Sequence, residues 1–232
     1  MIINGLVLAD FADKFEKCFI RDDRYMLLLS GILVTIQVAL LAAVLGLLIG
    51  FLIALCNLSK NKVLNVIGKV YTDVIRGTPS VTQLMIIYFV VFANIDWPKW
   101  IIAAIAFSIN SGAYVSEIIR AGILSIDKGQ TEAGRSLGLS KWQTMKEIIV
   151  PQAVKNIFPA MCNEFITLIK ETAIVGYVGL VDIQKAGDFI KSATYEAFMP
   201  LLATAIIYFT LIKILTLLLG LAEKRLRKSD KR

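Results

Sequence analysis

The chain contains no histidine, so the commonest general base and a frequent metal ligand are missing. Only three cysteines occur in 232 residues, and Cys18, Cys56 and Cys162 lie too far apart for metal or redox spacing. Each reads as a small apolar packing residue. No Gly-x4-Gly-Lys-Ser/Thr loop is present, so the chain is not expected to bind ATP through that device. No Ser–His or Cys–His set and no grouped metal ligands suggest covalent or metal chemistry, so no catalytic or metal residue is assigned. Residues 1–24 are charged throughout and lack an apolar core ending in a small-residue site, so no cleavable signal is expected. Charge is scarce as well: 19% of residues are charged against 57% hydrophobic. Mean hydropathy is +0.71, well above a soluble domain of this size, and implies a polytopic membrane protein. The net charge of +7 then marks loops on the cytoplasmic side rather than nucleic-acid binding.

Five apolar runs read as membrane spans, at about 26–57, 79–93, 100–124, 154–175 and 198–221. They define a membrane domain over 25–221, preceded by an amphipathic segment at 1–24 and followed by a basic tail at 222–232. In the first segment Phe11, Phe15 and Phe19 recur at helical spacing, which suits a membrane surface or the protein's own rim equally. Gly31, Gly46 and Gly50 give the first span small faces for another helix. Val63 to Ile75 is amphipathic and suits the interface. Arg76-Gly77-Thr78-Pro79 reads as a helix start, with Thr78 as cap and Pro79 in the first turn. Pro159 is expected to start or kink the fourth span. Gly176 to Ala197 is polar and reads as a surface segment. Basic residues gather on one side, at Lys60, Lys62, Lys69, the 125–151 loop and the tail from Lys224. That side is therefore cytoplasmic and the N-terminus lies outside.

Two faces inside spans are polar. Asn110, Tyr114 and Glu117 share one side of the third span. Asn163, Glu164, Thr167, Lys170 and Glu171 share one side of the fourth. Ionisable groups at such depth cost about 2.5–3.5 kcal/mol each and normally face a cavity or a partner. Glu164, Asn163 and Thr167, with Gln83 and Asn110, are the candidates for a substrate path. Pairing of Glu164 with a basic side chain of the protein, and bonding of Gln83 and Asn110 between helices, remain open alternatives. Glu117 and Arg120 favour a structural ion pair or an interfacial position.

The stretch Gly129–Pro151 lies between apolar runs yet carries Glu132, Arg135, Lys141, Lys146 and Glu147, so it must sit in water or against another protein. Its small residues Ala133, Gly134, Ser136 and Gly138 would let a partner approach closely. Thr131 to Leu139 suits a short helix, and Ser140 can cap the next. Trp142 suits a membrane–water boundary. A solvated connector is the plain alternative.

The order Glu132-Ala133-Gly134, then Gly138, then Ile148-x-Val150-Pro151 resembles the EAA motif of ABC importer permeases. Gly134 stands for the second Ala of that motif and Val150 for its Leu. Arg76-Gly77-Thr78-Pro79, Ala113-Tyr114-Val115-Ser116-Glu117-Ile118-Ile119-Arg120, Pro151-Gln152-Ala153, Asn163-Glu164-Phe165 and Lys170-Glu171-Thr172 are similar to the polar amino acid subfamily of histidine, glutamine and arginine permeases. The resemblance runs from about Ser30 to Gly220.

It implies an all-α membrane protein of the type I ABC importer permease fold. Two such subunits, identical or related, would surround a path for a polar amino acid. Two ATPase subunits would consume ATP-Mg, so this chain would bind no cofactor and would not itself be an enzyme. Glu132, Ala133, Gly134, Gly138 and Leu139 would dock on an ATPase, and an extracytoplasmic binding protein would deliver substrate. A passive channel and a membrane scaffold are the rivals from other classes. The fourth-span stripe argues against a scaffold, and the motif argues against both.

Overall fold

The computed structural model describes residues 10–227, and among them all regular structure is helical. Residues 1–9 of the expected amphipathic segment and residues 228–232 of the tail lie outside the described residues. Helix α1 (10–15) runs on into a π turn, Glu16–Ile20, before the chain reverses at Asp22 and Asp23, both in the left-handed region. Cys18 and Phe19 are buried with Leu28, Ala186, Ile190 and Met199, while Phe11 and Phe15 stay exposed. The segment therefore packs on the protein's rim through Phe19.

Helix α2 (Tyr25–Leu58) has 34 residues, and α5 (Lys99–Leu124) has 26. At about 1.5 Å per residue both exceed the ~30 Å hydrocarbon core. They pack side by side in the same direction, because small residues let the backbones close up: Gly46 meets Ser111, and Gly50 meets Val115. Val38, Ala42, Ala103 and Phe107 fill the seam, joined by Leu84, Leu168 and Val175 from three other segments. The outer face of α2 exposes Leu33, Leu40, Leu48 and Leu52, as a lipid-facing helix would.

Between them lie α3 (Lys62–Arg76), capped by the Asn61 side chain on Val63 N–H, and α4 (Ser80–Val91), which closes in a π turn. The two meet at 104°. The expected second span thus starts at Ser80, and Thr78 is not its cap. Pro79 occupies the cap position, while the Thr78 hydroxyl donates to the Val74 carbonyl at 2.9 Å. That bond serves the open C-terminal end of α3, which would otherwise leave carbonyls unpaired.

Among the described residues three helices are long and apolar enough to cross a membrane: α2, α5 and Phe198–Leu226 within α10 (Phe198–Arg227). The bent α3–α4 pair adds a fourth if counted as one span. The remaining expected span is α8 (Val150–Glu171), a 22-residue helix whose polar side lowers its hydropathy. Pro159 neither starts it nor interrupts it. Pro151 sits in the first turn, and the helix carries through Pro159.

The 125–151 stretch follows the expected pattern of two capped helices, and the 176–197 segment does not. The 125–151 stretch is mostly helix: α6 (Lys128–Ser136), then α7 (Lys141–Thr144), which continues through a π turn, Met145–Ile149, into α8. The 176–197 segment is more than surface. After a 3-10 turn at Thr172–Val178 it forms α9 (Ile183–Thr194), which buries Ile183, Ala186 and Ile190 against α2 and α10. Its polar average hides a narrow apolar stripe at three- and four-residue spacing. Asp182, fully buried, caps α9 by accepting from Lys185 N–H at 2.9 Å and Gln184 N–H at 3.2 Å. The Tyr208 hydroxyl of α10 donates to the same carboxylate at 2.9 Å.

Candidate functional site

The connector between α5 and α8 is a preformed helical knuckle. Asp127 caps α6 through its bond from Gly129 N–H at 2.7 Å. The helix stops where Gly138 takes φ +82°, with Leu139 N–H reaching Gly134 C=O and Gly138 N–H reaching Arg135 C=O. This paired C-terminal motif needs the left-handed residue that glycine supplies without penalty. Arg135 then clamps the turn by donating to the Leu139 carbonyl at 2.7 Å. Ser140 and Gln143 form a capping box that starts α7.

Gly134 is buried, and a Cβ there would meet Thr144 Cγ2 at 2.8 Å and Ile148 Cδ1 at 3.0 Å. Its smallness lets α6 lie against the following helix; it is not the open surface for a partner that its residue type suggested. The outward face holds Glu132 and Ala133, and Leu139 is half-buried. Leu137, 80% exposed, and Trp142, 73% exposed, stand beside them. Leu137 was missed from sequence, because a leucine next to a glycine-ended helix reads as core until the helix is seen to face outward.

The second group lies inside the helices. Along α8, Asn163, Thr167 and Lys170 are exposed, while Glu164 and Glu171 are half-buried beside them. Ser111 of α5 donates its hydroxyl to Glu164 Oε1 at 2.8 Å. Among the described residues no basic side chain pairs with Glu164. The carboxylate thus has one neutral hydroxyl partner and remains partly exposed.

Gln83 and Asn110 bond to each other: Asn110 Nδ2 donates to Gln83 Oε1 at 2.8 Å. Gln83 Nε2 donates to Thr78 Oγ1 at 2.6 Å and to the Ile75 carbonyl at 2.7 Å. This one side chain ties α4 to the end of α3 and to α5 across the bend that Arg76-Gly77-Thr78-Pro79 makes. Arg76 stacks on the Tyr114 ring at 5.2 Å and lies 3.9 Å from Glu117, whose carboxylate accepts from Arg120 at 2.7 Å and 3.0 Å. The expected Glu117–Arg120 ion pair is present, with Arg76 as a third member.

Residues 46–228 match the family described as binding-protein-dependent transport system inner membrane component. The chain belongs to this family. It is the transmembrane permease component of an ABC-type import system, and its family membership sets the channel and scaffold readings aside. The permease is 42% identical over 214 residues to a Rickettsia bellii (strain RML369-C) protein provisionally named glutamine transport system permease protein GlnP, covering 91% of this chain and 98% of the relative. It is 42% identical over 205 residues to the arginine transport system permease protein ArtQ of Bacillus subtilis (strain 168), covering 88% and 94%. A crystal structure of an amino acid ABC transporter with histidines superposes with a TM-score of 0.82 at 42% identity, covering 89% of the permease and 98% of that chain. The MetNI methionine transporter in an inward-facing form shares the fold, with a TM-score of 0.75 at 18% identity over 87% of the permease and 96% of that chain. Such components work with ATPase subunits and a substrate-binding protein.

Proposed function

We propose that this permease carries a polar amino acid across the cell membrane, with Glu164 as the recognition carboxylate. The observation behind this reading is that Glu164 is partly exposed and has no partner among the described residues but the Ser111 hydroxyl. A half-buried carboxylate answered only by Ser111 needs a positive group to offset its desolvation, and the ammonium or cationic side chain of an amino acid supplies one. Asn163 and Thr167 stand one turn apart, able to hydrogen-bond the cargo's carboxylate. Gln83 and Asn110 back the path by holding its α4–α5 wall. The relatives' names, which give glutamine and arginine, favour the same cargo class.

Five spans, with the N-terminus outside and the C-terminus inside, follow if α3–α4 and α8 each cross. The basic residues on α6, α7 and the end of α10 favour this orientation. Lipid would not tolerate the exposed polar row of α8, so a second permease subunit, identical or related, covers it across a shared path. Two ATPases dock on the knuckle through Glu132, Ala133 and Leu139, with Leu137 as apolar anchor and Gly134 and Gly138 setting its shape. ATP-Mg is consumed there rather than by this chain.

Purifying the native complex through a tag on this chain tests the reading. Two ATPase copies, two permease subunits and a co-purifying polar amino acid are expected. Ion flux through the permease without ATP would overturn it.

A further inference from the structure

Lys69, Arg76 and Arg120 line a cavity of about 630 Å³ where the C-terminal ends of α2 and α5 meet α3. Asp73 and Glu117 share it, which leaves one positive charge in excess. Glu117 is already engaged by Arg120 and approached by Arg76. Lys69 forms no ion pair among the described residues. Asn57 also lines the cavity; it is 8% exposed, and neither polar atom of its side chain has a hydrogen-bond partner among the described residues. Those two atoms are sealed from the cavity, packed against Gly68 of α3, so Asn57 forms part of the wall rather than a contact for a ligand.

The flank of the cavity is apolar. On α3, Val63, Val66, Val70 and Val74 are exposed in one row, an amphipathic helix with its oily face unpartnered. We propose that the cavity holds the phosphate-bearing headgroup of an anionic phospholipid, with the acyl chains lying along that valine row. Guanidinium forks and an ammonium at one spot suit a phosphate, and basic pockets between helix ends on the cytoplasmic side are built for such headgroups. A neutral lipid would leave the excess charge unanswered, and a free phosphate would leave the valine row bare.

The leaflet follows from the orientation proposed above. The assay below is blind to leaflet, so a reversed orientation would leave lipid retention intact, whereas a wrong ligand would remove it. The intact complex is reconstituted in phosphatidylcholine nanodiscs with added phosphatidylglycerol, extracted into mild detergent, and its retained lipid counted by native mass spectrometry. Wild type should keep phosphatidylglycerol in preference to phosphatidylcholine. Lys69→Gln should weaken that preference about fivefold, the equivalent of ~1 kcal/mol per basic side chain, and Lys69→Arg should restore it. Lys60→Gln, a nearby exposed charge outside the cavity, should change nothing. Equal retention by wild type and Lys69→Gln, or equal loss in Lys60→Gln, would overturn the proposal. Displacement of the retained lipid by inorganic phosphate at ordinary buffer concentration would assign the site to free phosphate instead.

Discussion

A carboxylate inside a helix bundle is a commitment, because its charge must be answered in every state the protein visits. Glu164 is answered only by the Ser111 hydroxyl, a neutral donor on the neighbouring helix. If a cargo ammonium supplies the rest, Glu164→Gln should lower uptake of basic amino acids by roughly 10- to 150-fold, the ~1.5–3 kcal/mol of a charged hydrogen bond. Complex yield should hold, since the amide is cheaper to bury. Uptake of a panel of basic, neutral and acidic amino acids, measured beside yield, checks this; an unchanged profile with reduced yield would place Glu164 in assembly instead. Sequence reading reached Glu164 because an acid at span depth is expensive wherever it points. It left Gln83 and Asn110 undecided between path and fastener. Both residues are uncharged, and the 2.8 Å bond between them shows that they join α4 to α5.

At the scale of the element, the α6–α7 knuckle separates residues that shape the helix from residues that face outward. Gly134→Leu would drive a side chain into Thr144 and Ile148 and splay the two helices, at a cost of about 1–3 kcal/mol, and should loosen ATPase attachment indirectly. Leu137→Ser touches nothing that holds the fold. It should leave subunit yield unchanged while weakening ATPase retention about 30-fold, as loss of a ~2 kcal/mol anchor would. Co-purification at graded ATPase concentration separates the two effects, and full retention by Leu137→Ser would remove it from the docking face. The α9 cap gives a different expectation. Burial raises the Asp182 carboxyl above the ordinary aspartate range, against the pull of its backbone and Tyr208 bonds. The folded state therefore holds this proton more tightly than the unfolded chain. Its contribution is full below about pH 3.9 and falls as pH rises through the raised value. Asp182→Ala removes that slope, strips the cap and takes the carboxylate partner from the Tyr208 hydroxyl, which keeps Thr172 and Thr35 beside it. Stability at neutral pH should drop by about 2–4 kcal/mol, read by thermal unfolding of the detergent-solubilised complex across pH.

Orientation belongs to the whole molecule, and it can be read by labelling. Cys18 is a poor reporter: it is fully buried, with Thr194 beside its sulfur. Better sites are Ser192→Cys on the exposed side of α9 and Lys141→Cys at the start of α7. With Cys56 and Cys162 changed to alanine, an impermeant maleimide on intact cells should label Ser192→Cys. It should reach Lys141→Cys only after the membrane is opened. The reverse pattern would invert the molecule and move the lipid cavity to the outer leaflet.

By itself the sequence determined that this is a helical membrane protein, which stretches are apolar, and where charge resists burial. Those properties are sums over local residues, and the cost of a charge or a polar backbone group in hydrocarbon does not wait on the fold. The EAA order and the glycine at 138 were equally legible, since a left-handed C-terminal residue is a local requirement. Tertiary structure alone decided that Gly134 serves internal packing and that α3 and α4 bend by 104° around Gln83. It also decided that α9 buries one face beneath α2, and that Lys69, Arg76 and Arg120 converge on one cavity. Each of these depends on which distant surface a side chain meets. Helical periodicity fixes the face a residue occupies but carries no information about what that face will touch.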